Sequence, residues 1–157
     1  MLRWMRSKKR FEPTRFSRWR ADPRVLVEEA DGAIRDSMIQ ILEEAGFEAV
    51  GCGGPDDHPG SRCPLVVDGT CPAASLADVI LFSLRISNPA NREVLRSLKQ
   101  RHPSTPIIVE VPKPKVAALN ELLVGTHPVH SPLTRRSLTR AVRNAWASPG
   151  PLVTAWD

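Results

Sequence analysis

Apolar and polar positions follow two rhythms along this chain, and the change between them marks out short strands and longer helices. The clearest short run lies within Asp78–Phe82, where Val79, Ile80, Leu81 and Phe82 are continuously apolar. A run of this length suits a strand buried on both faces, as in a parallel sheet, and is too short for a helix. Arg24–Glu28, Phe47–Val50 and Pro106–Val111 have the same character, and His127–His130 predicts a last brief strand. Between these runs the spacing of apolar residues changes to three and four. Ile34, Met38, Ile41, Leu42 and Ala45 mark one face of a helix, with Asp31 as its N-cap and Gly46 as its left-handed end. Val94, Leu95 and Leu98 mark a second helix that runs to His102. Val116–Leu123 predicts a short third one. Leu138, Ala141, Val142, Ala145 and Trp146 outline a clear last helix.

Five strands alternating with helices predict an α/β fold, a flavodoxin-like, doubly wound sheet of five parallel strands. Ligands of such sheets lie outside the carboxyl ends of the strands, so chemistry is expected near Ser83. One stretch breaks the alternation. Gly51–Ser75 is rich in Pro and Gly, holds all three cysteines, and forms a long loop in place of the second helix. Within it, Leu65–Val67 predicts a short strand that ends in a turn at Asp68 and Gly69. A loop this long in a compact domain is usually functional.

Charge divides the chain further. Residues 1–22 carry eight Lys/Arg against Glu12 and Asp22, a net of +6 (8 − 2), while all 157 residues sum to +5. The basic character therefore belongs to an arm, expected to be flexible, and not to the domain at 23–147 or to the tail at 148–157. The arm interleaves Trp4, Phe11, Phe16 and Trp19 with its basic residues. It would dock on the domain, bind nucleic acid through phosphate neutralisation and base stacking, or meet a membrane or partner surface. No run approaches the roughly 20 apolar residues of a membrane span. No apolar stretch follows the basic amino terminus, so a secretory signal is not expected. The expectation is a cytoplasmic protein with reduced thiols.

RVLVEEADGAIRDSMIQILEEAGFEAV, ADVILFSLRIS, NREVLRSLKQRHPSTPIIVEV and VHSPLTRRSLTRAV resemble the receiver domain of bacterial two-component response regulators, from about Arg24 to Trp146. The resemblance implies a phosphorelay. An aspartate after the third strand would take a phosphoryl group from a histidine kinase. Mg²⁺ would be held by that aspartate and an acidic pair after the first strand. A hydroxyl and a lysine would read the phosphoryl oxygens. On this chain the acidic pair falls on Glu29 and Ala30, flanked by Glu28 and Asp31. The acceptor falls on Ser83, the hydroxyl on Val111, and the lysine on Ser131 before Pro132. Serine forms no acyl phosphate and offers Mg²⁺ no anionic oxygen. Val111 cannot hydrogen-bond a phosphoryl oxygen, and Ser131 carries no charge to balance one.

The expected function is therefore that of a degenerate receiver-like module, not an enzyme, that acts by contact with a protein partner or itself without phosphorylation. The closing strand and helix are its candidate interface, with Arg135, Arg136, Arg140 and Arg143 on the outer face of the helix. The flanking segments are expected to be too short for an output domain.

Three alternatives accompany this reading. CPLVVDGT also resembles a strand that ends in an acceptor, which would make Asp68 the phosphorylation site of a conventional relay. Cys52, His58, Cys63 and Cys71 have the donor types for zinc or an iron–sulfur cluster, although ten and seven intervening residues provide no C-x₂-C element. These cysteines would make the loop a metal or redox sensor. The arm would make the chain a nucleic-acid-associated protein. His127 and His130 are expected to be ordinary surface residues.

Overall fold

The computed structural model describes residues 23–113 and 119–147. Strands β1 (Arg24–Glu28), β2 (Glu48–Cys52), β3 (Val79–Phe82), β4 (Ile107–Val111) and β5 (His127–His130) form one sheet in the order β2-β1-β3-β4-β5. Every neighbouring pair is parallel. This is the expected five-stranded flavodoxin-like sheet. The chain switches direction beside β1 and β3, which places Glu28 opposite Phe82 in register at the centre.

Side chains alternate along each strand, so each face of the sheet builds its own core. Val25, Val27, Val79, Leu81 and Ile108 face helices α1 (Gly32–Glu44) and α6 (Arg135–Ala147), which contribute Met38, Leu42, Leu138 and Val142. Leu26, Val50, Ile80, Phe82 and Val109 face the opposite way. They pack against α4 (Pro89–Arg101), which follows β3, and against residues 52–77. β3 is buried throughout, as its continuous apolar run requires.

The predicted start and stop of α1 are present. Asp31 has extended backbone angles, and its carboxylate accepts from the amides of Ala33 and Ile34. Gly46, just past the helix, has φ +95°, a conformation that lacks strain only without a Cβ. Asp31→Ala should remove about 1 kcal/mol of stability, which a urea titration would detect as a lower midpoint at unchanged slope. Ile34, expected on the buried face, is instead 49% exposed.

Residues 52–77 differ most from expectation. Leu65–Val67 is not a strand: Pro64–Val67 is a single helical turn, α2, and Pro72–Leu76 is a second, α3. Two 3₁₀ turns precede them. All four pieces start with proline, whose fixed φ suits a first helical position and whose missing amide is not needed there. The segment is thus a chain of prolyl-nucleated turns. It anchors through Leu65, Ala73 and Ala74, all buried in the core beside β1 and β3. The second-strand prediction also ended too early, since β2 runs on to Cys52. Of the third predicted helix, Asn120–Leu123 forms α5, and residues 116–118 lie outside the described residues.

Candidate functional site

The parallel ladder continues one residue beyond the strands and gathers the predicted pocket residues at one end of the sheet. The Ser83 amide donates to the Glu28 carbonyl at 2.8 Å, and the Glu29 amide donates to the Cys52 carbonyl at 3.0 Å. The Ser131 amide donates to the Val111 carbonyl at 3.1 Å, just before a cis Ser131–Pro132 bond. Glu29, Ser83, Val111 and Ser131 therefore occupy adjacent strand ends.

The chemistry at this end is weak for a phosphoryl site. Ser83 Oγ is buried and has no hydrogen-bond partner among the described residues. Val111 is fully buried. The Glu29 carboxylate accepts from the Asp31 amide at 2.9 Å, and its backbone carbonyl accepts from Arg35 at 2.7 Å. Asp31 is committed to capping α1. Burial raises the pKa of Glu29, and the charges of Glu110 and Asp31 add to the rise. Glu110, on β4, is a pocket neighbour that the resemblance did not single out. The residues do not fit the Mg²⁺ set of a receiver. A neutral hydroxyl stands in place of the acceptor carboxylate, and Ala30 in place of the second acidic residue.

Glu28 does not belong with Glu29. The two are adjacent in sequence and so point to opposite faces of the sheet. Glu28 lies on the Leu26 face, beneath residues 52–77, and is only 4% exposed. One carboxyl oxygen, Oε2, has no hydrogen-bond partner among the described residues. Burial pushes its pKa from the ordinary 4.5 up to about 7. A hydrogen bond with Cys52 and the Arg35 charge pull it back down, while Asp57 pushes it up. The alternation Arg24, Leu26, Glu28 was the signal in the sequence that could have separated this carboxylate from the pocket.

The cysteines lie on the same side of the sheet as this carboxyl group. Cys52 ends β2, and its Sγ lies 3.8 Å from His58 Nε2 and accepts from the Gly54 amide at 3.4 Å. Cys63 and Cys71 immediately precede α2 and α3. All three are free thiols, and burial raises the pKa of each, with Glu28 adding to the rise. Thiols held protonated in this way are poor nucleophiles, which counts against a redox sensor. Among the described residues no three His, Cys, Asp or Glu side chains could together hold a metal ion.

Asp68 is not at a strand end. It caps α2 in an exposed position, with its amide donating to the Pro64 carbonyl at 2.7 Å, so the segment before it cannot present it as a receiver presents its aspartate. His127 is buried, not on the surface as expected, and its burial lowers its pKa; His130 is exposed. On α6, all four arginines are exposed. Arg135 pairs with Glu44, and Arg143 lies over the Phe47 ring at 5.9 Å. The basic arm at 1–22 lies outside the described residues. No described helix is long and apolar enough to cross a membrane.

No family model and no curated protein matches this sequence. Solved structures do match the fold. A response regulator receiver domain protein from Clostridium thermocellum superposes with TM-score 0.59 at 18% identity, covering 80% of this chain and 94% of its own. A CheY-like receiver domain protein from Methanospirillum hungatei gives TM-score 0.61 at 17% identity, covering 82% and 97%. The apo receiver domain of nitrogen regulatory protein C gives 0.61 at 20% identity, covering 80% and 94%. By these superpositions the chain has the fold of response regulator receiver domains.

Proposed function

We propose that this chain is a receiver-like signalling module that works through protein–protein contact and is not switched by aspartyl phosphate. The observation that carries the reading is Ser83. It stands at the centre of the sheet's carboxyl end with a buried, unpartnered hydroxyl, where phosphotransfer requires a carboxylate. Val111 and Ser131 support it, since neither offers the contacts that stabilise a phosphoryl group. Contact would be made through β5 and α6. The exposed arginines there favour an acidic surface and would speed encounter with one.

Incubation with acetyl phosphate and Mg²⁺ should leave the chain unlabelled, as read by intact mass and by acid-stable and acid-labile phosphate. An acyl phosphate on any carboxylate, Asp68 included, would defeat the reading. Stoichiometric zinc or iron in protein purified without chelator would move the function from α6 to the cysteine segment.

A further inference from the structure

Glu28 is a buried carboxyl that follows Leu26 on its face of β1, and it contributes nothing to the strand-end pocket. What lies over it is residues 52–77, a series of short helical turns. Groups from several elements bear on it. Cys52 comes from β2, Arg35 from α1, Asp57 from the first 3₁₀ turn, and Cys63 and Cys71 from the starts of α2 and α3. Most of these groups belong to the covering segment or its hinge.

The segment is seated mostly by small side chains. Gly54 has φ +80°, and a Cβ there would lie 2.8 Å from Leu84 Cδ1, so the hinge fits against Leu84 only as glycine. The Gly53 amide donates to Asp57 at 2.6 Å, and Asp57 lies 4.0 Å from the Arg35 guanidinium. Beyond that, Pro55, Cys63, Leu65, Ala73, Ala74 and Ala77 are the buried anchors, three of them with a single methyl group each. Short helical turns with small anchors belong to the low-stability end of a fold and open locally before the sheet does.

We propose that residues 53–77 form a proton-gated flap, seated on the sheet while Glu28 holds its proton and loosened when that carboxyl ionises. An ionised carboxylate beneath the flap would have one oxygen without a donor, a costly burial. Lifting the flap hydrates it. The open form would then ionise at the ordinary 4.5, while the seated form holds its proton to about 7. Opening therefore releases one proton in that window. The opening equilibrium should rise about tenfold per pH unit and level off above it. The gate operates whether or not the strand-end pocket accepts phosphate, since the two lie on different faces of the sheet.

Amide hydrogen exchange on the full chain between pH 5 and 8, corrected for intrinsic base catalysis, tests the gate. Amides of residues 53–77 should open about tenfold more per pH unit up to pH 7, while those of β3 and β4 follow intrinsic exchange alone. Glu28→Gln should abolish the excess. Asp57→Asn removes a charge that favours the proton and should shift the profile to lower pH. Arg35→Gln removes one that opposes it and should shift the profile to higher pH. These two variants keep the test usable if Glu28→Gln folds poorly. A Glu28 carboxyl carbon that titrates in the ordinary carboxylate range would overturn the gate. So would an unchanged profile in Glu28→Gln, or shifts of the same sign in the two charge variants.

Discussion

Phe82→Ala is expected to remove about 3–5 kcal/mol of folding stability, the range for deleting a fully buried aromatic side chain. Phe82 is the last residue of β3, has no exposed surface, and packs in the core that also contains Leu26, Val109 and Leu95. β3 lies between β1 and β4, so the sheet cannot relax around the cavity without shifting two neighbouring ladders. Against a typical total of roughly 5–15 kcal/mol, this loss would leave a substantially unfolded population at physiological temperature. The check is a urea titration beside Val124→Ala, which alters a residue 64% exposed. That control should stay within about 0.5 kcal/mol of the parent. A loss below about 1 kcal/mol for Phe82→Ala would mean that the core does not close around it as described.

Glu28→Leu should have the opposite sign, with the gain appearing only above acid pH. At pH values below the ordinary 4.5, Glu28 is protonated in both the folded and unfolded chain and contributes no pH dependence. As pH rises from there to about 7, the unfolded chain loses the proton while the folded chain retains it. Folding must then take up a proton, and stability falls with rising pH. Above about 7 the penalty is complete. A rise from 4.5 to about 7 corresponds to about 3 kcal/mol at 1.36 kcal/mol per unit. Leucine avoids that penalty but must repack beside Cys52, at a cost of about 1 kcal/mol. The variant should therefore be no more stable than the parent at pH 4, and more stable by a few kcal/mol at pH 8. His102 and His127, whose pKa values burial lowers, give the opposite trend at acid pH in both proteins, so the difference between the two curves isolates Glu28. Parallel curves for parent and variant would show that the carboxyl is not buried as described.

That a hydroxyl stands at the expected acceptor position could be read from residue identity alone. Whatever the fold does, Ser83 cannot carry an acyl phosphate, and Val111 cannot bind one. Placing those residues on adjacent strand ends required the strands to pair in parallel, which the continuous apolar runs favour for the inner strands but the polar, half-exposed β5 does not show. The cysteine segment was harder to read for a physical reason. Its turns are set one at a time by proline at first helical positions, and none is long enough to show a helical period. Leu65–Val67 consequently looked like a strand, and Asp68 like its acceptor end.

The five-stranded parallel sheet, the two-sided core and the capping of α1 by Asp31 were determined by the sequence itself. Each depends on a local pattern or on the chemistry of one side chain. Only the tertiary structure decided the order of the strands, that Glu28 is buried beneath residues 52–77, and that Asp68 lies out on a helical turn. Burial and proximity are properties of chain segments brought together from afar, and neither is written in any short stretch of residues.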